Sequence, residues 1–258
     1  MRVVIIGAGN VATILGRLLK KNGHDILQII SKHNDSALIL ATELNCAFTI
    51  NNNEIDRTAD IYLIAVADNS LKELGETYRL DNKLVVHTAG AISKEILKNI
   101  SINYGVLYPL QSLLKQQATL QENIPLLLDA NTSDSLALLK QLATSISSNC
   151  CFSSDEQRLK LHVAAVLVSN FTNHLYTMAA EYCTGEKVDF KMLLPLIEET
   201  ATRLHKHKPV EMMTGPAFRG DTKTIEMHLS LLESYPLIQN IYINITESIM
   251  ASKNIISM

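Results

Sequence analysis

The sequence lacks tryptophan and is poor in cysteine and in long apolar segments. Its four cysteines, at positions 46, 150, 151 and 183, form no Cys-x-x-Cys pair, and no histidine stands at zinc-finger spacing, so we expect reduced thiols and no metal site. The apolar runs fall well short of the roughly 18 residues that a membrane-spanning helix requires. The first run, residues 3–6, is also too short for a signal peptide, which predicts a cytoplasmic protein with no membrane partner.

Neither sign of charge dominates, since 23 Lys and Arg stand against 26 Asp and Glu for a formal net charge of -3. Nucleic-acid-binding domains usually carry a pronounced basic surface, so we do not expect nucleic acid as a partner. The 258 residues, 47% of them hydrophobic, suffice for one large core or two smaller ones. We therefore expect a globular protein whose main partner is a small molecule.

The first 153 residues alternate short β-branched segments with helical patterns. Predicted strands cover residues 2–6, 25–30, 46–49, 60–67, 83–87, 104–107, 124–128 and 150–152. Predicted helices cover residues 11–22, 36–44 and 133–147. Alternation of this kind predicts an α/β fold with a doubly wound, mostly parallel sheet over residues 1–153.

No convincing strand follows residue 153. Apolar residues recur at helical spacing over residues 155–184, and further helices are predicted for residues 190–205, 222–234 and 236–253. The pattern predicts an all-helical C-terminal domain over residues 154–258.

A glycine-rich turn joins the first predicted strand directly to the first predicted helix. Residues 7–12 read Gly-Ala-Gly-Asn-Val-Ala and fit the G-x-G-x-x-A pattern of dinucleotide-binding Rossmann domains. The first glycine permits the tight turn, and the second lets the backbone approach a pyrophosphate at the helix N-terminus. We therefore predict phosphate contacts at Gly7, Ala8, Gly9, Asn10 and Val11.

The end of the second predicted strand distinguishes between the two nicotinamide nucleotides. An NAD site usually has a carboxylate there to bind the ribose hydroxyls. This sequence instead has Ser31 and Lys32, a hydroxyl donor and a cation that suit a 2′-phosphate. NADP(H) is therefore predicted in preference to NAD(H), although Lys32 could also be a solvated loop cation.

Ligands of doubly wound sheets bind beyond the C-terminal ends of the strands. Val66, Ala67 and Asp68 leave the fourth strand at that edge, His87 and Thr88 leave the fifth, and residues 108–112 leave the sixth. These three loops are predicted to line the nicotinamide half of the site. His87 could act as a general acid toward a substrate. The alternative is that His87 only orders its loop.

Several segments together resemble a known family. They are residues 7–12, 31–32, 87–90, 108–111, 160–170, 194–200 and 214–221. Over nearly the whole chain the sequence resembles the Rossmann-like proteins that carry the helical "domain of unknown function 2520". That family is similar in outline to pyrroline-5-carboxylate reductase, to the 3-hydroxyacid dehydrogenases and to deazaflavin-dependent NADP oxidoreductases. The resemblance implies an NADP oxidoreductase without naming its substrate, and a homodimer formed through the helical domain.

The sequence departs from its relatives at two positions. Many members of the family have a histidine before the proline that ends the sixth strand, where this chain has Tyr108. If that histidine transfers a proton in the relatives, either Tyr108 replaces it here or the role does not exist. The 3-hydroxyacid dehydrogenases carry a catalytic lysine four residues before an asparagine, where this chain has Val166 before Asn170. A mechanism with a lysine acid is therefore not expected.

Two residues of the helical domain are further candidates. Asn170 lies in a predicted i+4 stripe with residues 162, 166 and 174, which could face the nicotinamide or, alternatively, solvent or a second subunit. Arg219 could bind an anionic substrate group, or it could pair with Asp221 to hold its loop.

These residues support two functional hypotheses. The first is an enzyme that transfers a hydride between NADP(H) and a small carbonyl, imine or hydroxyacid, with His87, Asn170 and Arg219 at the reacting groups. The second is a non-catalytic NADP(H)-binding sensor, because a fold does not imply a reaction.

Overall fold

The computed structural model describes residues 1–116 and 123–256, with side chains through Ser252. The chain forms two compact units, Met1–Ser169 and Asn170–Met258. The predicted boundary at residue 153 coincides with the end of the last strand, while the first compact unit continues to Ser169.

One eight-stranded sheet forms the first unit, in the order β3-β2-β1-β4-β5-β6-β7-β8. The strands are β1 (Arg2–Ile6), β2 (Asp25–Ile30), β3 (Ala47–Thr49), β4 (Ile61–Ile64), β5 (Leu84–His87), β6 (Asn103–Pro109), β7 (Leu126–Ala130) and β8 (Cys150–Phe152). All neighbours pair in parallel except β6 and β7. This confirms the prediction of a doubly wound, mostly parallel sheet, and the strand order reverses between β1 and β4.

The two faces of the sheet bury alternate residues of the same strands. Val3 and Ile5 of β1 belong to one apolar core, while Val4 and Ile6 belong to the other. Successive side chains of a strand point to opposite faces, so a strand that is apolar at every position must be covered on both.

Among the described residues of the first unit, the α-helices are α1 (Asn10–Lys21), α2 (Asn34–Leu44), α3 (Asp68–Thr77), α4 (Ser133–Ile146) and α5 (Asp155–Ala165). The sequence analysis did not predict α3, whose residues are mostly polar. Ser154 and Gln157 form a capping box at the start of α5, which ends the extended backbone after β8.

The second unit contains helices α6 (Thr172–Gly185), α7 (Leu194–Arg203), α8 (Pro216–Arg219), α9 (Thr222–Leu231) and α10 (Pro236–Ile256). Its described residues include no strand, which confirms the predicted helical C-terminal region. No helix in the described part of the chain is long and apolar enough to cross a membrane.

The helix predicted over residues 155–184 is continuous but irregular. A π-helical segment, Val166–Phe171, separates α5 from α6. Its wider turn breaks the i+4 spacing that the predicted stripe through Asn170 assumed, so that stripe does not form one regular face.

Candidate functional site

A pocket opens at the C-terminal edge of the sheet, where the strand order reverses between β1 and β4. This edge is where open α/β sheets bind their ligands, because the crossovers on the two sides of the reversal leave a crevice there. The pocket has a volume of about 370 Å³. Its lining includes Gly7, Ala8, Gly9, Ser31, Lys32, His33, Ser36, Val66, Ala67 and Lys115. Seven predicted nucleotide-binding residues therefore share one pocket.

The glycine-rich turn is held close to the neighbouring strand. Gly7 has φ +117°, and its N–H donates to the carbonyl of Ile30 at 2.7 Å. A Cβ at Gly7 would lie 2.1 Å from the carbonyl oxygen of Ala65, so no side chain fits there. A Cβ at Gly9 would have no described atom within 4 Å, which leaves open space beside its backbone.

The N-terminus of α1 lies next to that open space. None of the described side chains caps this terminus, and its first turn contains no acidic residue. The first backbone N–H groups of a helix have no partner within the helix, so here they are free to bind an anion. The turn and the helix together therefore fit the pyrophosphate of a dinucleotide.

The pocket continues to the end of β2, where its polar side chains lie. Lys32 Nζ is 2.9 Å from Oε2 of Glu73 on α3, in a pair that is about two-thirds exposed on both sides. Exposed pairs of this kind stabilise a fold by at most about 1 kcal/mol, so the ammonium group can readily change partner. No residue that lines the described pocket is acidic.

The remaining predicted cofactor residues surround the pocket without being among its lining residues. The side chain of Asn10 accepts a hydrogen bond from Lys115 N at 3.3 Å, and Val11 packs against the core. Asp68 begins α3 and is exposed, and the N–H of Thr88 donates to the carbonyl of Ile64 at 3.1 Å.

His87 does not have the setting of a general acid. Its side chain is completely buried, and its Nδ1 accepts a hydrogen bond from the N–H of Ala89 at 3.1 Å. Burial, reinforced by the nearby charge of Arg158, lowers the pKa of His87 to about 4. The proposed role as a proton donor to a substrate is therefore corrected, since this neutral, enclosed imidazole orders the loop after β5.

An arginine on α5 fixes the same loop, which the sequence analysis did not predict. Arg158 is 1% exposed and donates to the carbonyls of Gly90 at 3.2 Å and Ile92 at 2.5 Å. Its Nη2 also lies 2.7 Å from Oδ1 of Asp155, whose other oxygen accepts from Ser93. Burial alone would raise the pKa of Asp155, but these two donors and the arginine charge hold that pKa below its usual value.

A second pair of side chains lies against this loop. Oη of Tyr108, at the end of β6, is 2.9 Å from Nδ1 of His162 on α5, and the rings meet edge to face at 5.8 Å. Both side chains are partly exposed. The sequence analysis singled out each residue separately, but only the fold brings them together because they are 54 positions apart.

The candidates of the second unit lie on its surface. Asn170 is exposed within the π-helical segment, and Arg219 is exposed at the end of α8. Asp221 caps α9 by accepting from the N–H of Thr224, and no ion pair within 4 Å joins it to Arg219 among the described residues. Hydrogen bonds from Thr224 lower the pKa of Asp221, and the charge of Arg219 lowers that pKa further, so the two charges attract each other over a longer distance.

The second unit also contains a larger cavity, of about 620 Å³. Its walls are mostly apolar, and leucine and isoleucine are the most frequent lining residues. A hydrogen bond of 2.8 Å joins His228 Nδ1 to Tyr242 Oη in that wall. An apolar wall of this kind cannot bind the phosphates of a nucleotide. No group of three metal-ligating side chains occurs anywhere in the described part of the chain.

Comparison with known proteins agrees with the geometry of the first unit. Residues 2–90 match the family "NADP oxidoreductase coenzyme F420-dependent", and residues 124–249 match the "Domain of unknown function (DUF2520)". The chain is 36% identical to a candidate NADP oxidoreductase from Bacteroides fragilis, with a TM-score of 0.92 over 97% of this chain and 98% of that one. The chain belongs to this oxidoreductase family. This membership confirms the resemblance drawn from the sequence.

Two more distant similarities concern the fold and a part of the chain. A pyrroline-5-carboxylate reductase from Streptococcus pyogenes shares the fold, with a TM-score of 0.64 and 15% identity over 97% of this chain and 98% of that one. A glycerol-3-phosphate dehydrogenase [NAD(P)+] from Staphylococcus carnosus is 29% identical over 115 residues. That match covers 39% of this chain and only 35% of the dehydrogenase. The assignment to a pyridine-nucleotide oxidoreductase family therefore rests on the Bacteroides fragilis protein and the family match, and the substrate class is a separate question.

Proposed function

We propose that this protein is an NADP(H)-dependent oxidoreductase that transfers a hydride to or from a small carbonyl, imine or hydroxyacid compound. The observation that carries the proposal is the pocket at the β1/β4 reversal, which joins the glycine turn to Ser31 and Lys32 without an acidic lining residue. An acidic residue at the end of β2 would favour the ribose hydroxyls of NAD, whereas a cation and a hydroxyl favour a 2′-phosphate.

The residues that would hold the nucleotide follow from the geometry. The N–H groups at the start of α1 would bind the pyrophosphate beside Gly9, and Ser31, Lys32 and His33 would surround the ribose phosphate. Lys115 also lines the pocket and adds a second ammonium group. The bound nicotinamide would supply the hydride, while the protein supplies orientation and charge.

Nucleotide titration tests the cofactor preference. We expect NADPH to bind more tightly than NADH, and Lys32→Ala to weaken NADPH roughly 10-fold, since one exposed charge-assisted contact is lost. Lys98→Ala, which removes an exposed lysine outside the pocket, is the matched control. Tighter binding of NADH, or equal effects of the two variants on NADPH, would contradict the proposed preference.

A substrate screen tests the reaction. NADPH oxidation should accelerate with at least one keto acid, cyclic imine or aldehyde, and a deazaflavin belongs in the same panel because the matching family is coenzyme F420-dependent. A protein that binds NADPH tightly but turns over no member of the panel would favour the alternative of a non-catalytic sensor.

We also propose that the protein is a homodimer formed through its helical region. Large apolar side chains on this unit are exposed in the single chain, although such side chains normally lie inside a protein or an interface. They include Phe171, Met192, Leu196, Met227, Leu231 and Leu237. Light scattering should give a mass about twice the 28.6 kDa of one chain, and a monomer at micromolar concentration would contradict this proposal.

A further inference from the structure

We infer that Tyr108 and His162 form the proton-donating couple of the proposed reaction, with Tyr108 giving its proton to the substrate and His162 replacing it. The inference rests on the proposed function and adds a mechanism to it. It assigns a role that the sequence analysis had considered for His87.

The position of the couple on the sheet is the first argument. A dinucleotide whose ribose phosphate lies at the end of β2 extends across β1 toward the ends of β4 and β5, because the crevice runs along this edge of the sheet. Tyr108 lies at the same edge, near the end of the adjacent strand β6. Its hydroxyl is therefore on the nicotinamide side of the site.

The loop after β5 is shaped to admit the couple. A Cβ on Gly90 would lie 2.6 Å from His162 Nδ1 and 2.7 Å from Cζ of Tyr108, so both rings occupy space that any other residue would fill. Arg158 donates to the carbonyl of the same Gly90 at 3.2 Å. The two rings are thus packed against a fixed loop and keep their hydrogen bond of 2.9 Å.

Exposure distinguishes the couple from its neighbours. His87 and Arg158 are buried to 1% exposure or less, so neither can touch a ligand. Tyr108 and His162 are both partly exposed. Among the described titratable groups that surround this loop, the couple combines an accessible hydroxyl with a second group able to carry a proton.

The surrounding charges keep Tyr108 in its acid form. Burial raises the pKa of Tyr108, and the carboxylate of Asp68 on α3 raises it further, while Arg158 on α5 acts in the opposite direction. Two further titratable groups that contact Arg158 or the loop after β5 are His87, which stays neutral, and Asp155, which is paired with Arg158. At neutral pH Tyr108 is therefore a phenol that can donate its proton.

The chemical step balances in the direction of reduction. A bound, reduced nicotinamide would supply the hydride to the substrate carbon. Tyr108 Oη would give its proton to the oxygen or nitrogen of the substrate as the π bond between that atom and the carbon breaks. The proton on Nδ1 of His162 would then pass to the phenolate oxygen, and a proton from solvent would replace it on the imidazole. Oxidation of the alcohol or amine follows the same path in reverse.

Kinetics of matched tyrosine variants provide the first test. Tyr108→Phe keeps the ring and removes the hydroxyl, so kcat should fall about 10²- to 10⁴-fold, the usual contribution of a general acid, with KM and the Kd of NADPH nearly unchanged. Tyr104→Phe is the control, because that residue lies on the same strand and its hydroxyl bonds to Glu95 at 2.8 Å. Equal kcat values for Tyr108→Phe and wild type across the pH range would overturn the inference.

The histidine is tested by the shape of the pH profile. His162→Gln can still hydrogen-bond to Tyr108 but cannot carry a proton, so we expect kcat to fall and the fall in rate at high pH to change position. A change in KM alone, with the pH dependence of kcat unchanged, would mean that His162 has only a structural role and would overturn the inference.

A titration without turnover separates failure of this inference from failure of the proposed function. The positive charge of bound NADP⁺ should lower the pKa of Tyr108. Phenolate absorbance should then appear at a lower pH with NADP⁺ than without it, and Tyr108→Phe should lack this shift. NADP⁺ binding without that shift would overturn the inference and leave the proposed function standing. Absence of any nicotinamide nucleotide binding would instead overturn the proposed function, and the inference would fall with it.

Discussion

Replacing Arg158 by methionine tests whether the loop after β5 is held as the structure indicates. Methionine keeps an unbranched apolar stem but removes the donors to the carbonyls of Gly90 and Ile92, and it leaves Asp155 without its buried partner. An unsatisfied buried polar group costs about 1–3 kcal/mol. Asp155 is 30% exposed and the Ile92 residue is half-buried, so water recovers part of this loss. We expect a destabilisation of about 3 kcal/mol, at the lower end of the roughly 3–5 kcal/mol that a broken buried pair costs.

Thermal and urea unfolding measure this effect. For a protein of this size about 3 kcal/mol lowers Tm by roughly 6–12 °C. Arg203→Met is the matched control, because Arg203 pairs with Glu199 one helical turn away while about half-exposed, and its loss should cost less than about 1 kcal/mol. If the two variants unfold alike, Arg158 does not stabilise the loop in the way argued here. Hydrogen exchange localised to residues 89–93 would show that the loss arises at this loop.

Three further predictions follow from single contacts. Gly7→Ala should destabilise the fold by several kcal/mol, because its Cβ would clash with Ala65 and its φ is positive. Gly9→Ala should be as stable as wild type but should lose most of its affinity for NADPH. Equal unfolding free energies for the two variants would refute this contrast. Because burial lowers the pKa of folded His87 to about 4, the unfolded chain binds a proton between pH about 6.5 and about 4 that the folded chain excludes. The free energy of unfolding should therefore decrease by up to about 3 kcal/mol as the pH is lowered through this range. In His87→Gln, the free energy of urea unfolding should vary less with pH over this range, and an unchanged pH dependence would contradict the assignment. Asp155 has a lowered folded pKa, so its contribution should be present above its unfolded pKa and disappear as pH falls through the folded value, a loss that Asp155→Asn should abolish.

The nucleotide-binding half of the site could be predicted from the sequence because its residues are local. The glycine turn, the strand before it and the helix after it occupy adjacent positions, and the Ser31 and Lys32 pair follows directly from the end of the next strand. Such short-range patterns are imposed by backbone sterics and by strand and helix periodicity, which act on neighbouring residues. The strand pattern also predicted the parallel sheet, since strands apolar at every position must be covered on both faces.

The catalytic half could not be predicted in this way. His87, Asn170 and Arg219 had residue types that suit the chemistry, but residue type does not fix exposure. The fold buries His87 completely, and the π-helical segment displaces Asn170 from a regular stripe. The same fold buries Arg158 and pairs Tyr108 with His162, for which the sequence offered only isolated polar residues.

The sequence by itself therefore determined the class of fold and the glycine turn where we propose that the nucleotide binds, because both depend on contacts between residues close along the chain. Only the tertiary structure decided which titratable groups are enclosed and which can reach a ligand. Burial and pairing arise when α5 packs against segments that precede it by more than 50 residues. Local sequence patterns do not encode such distant contacts.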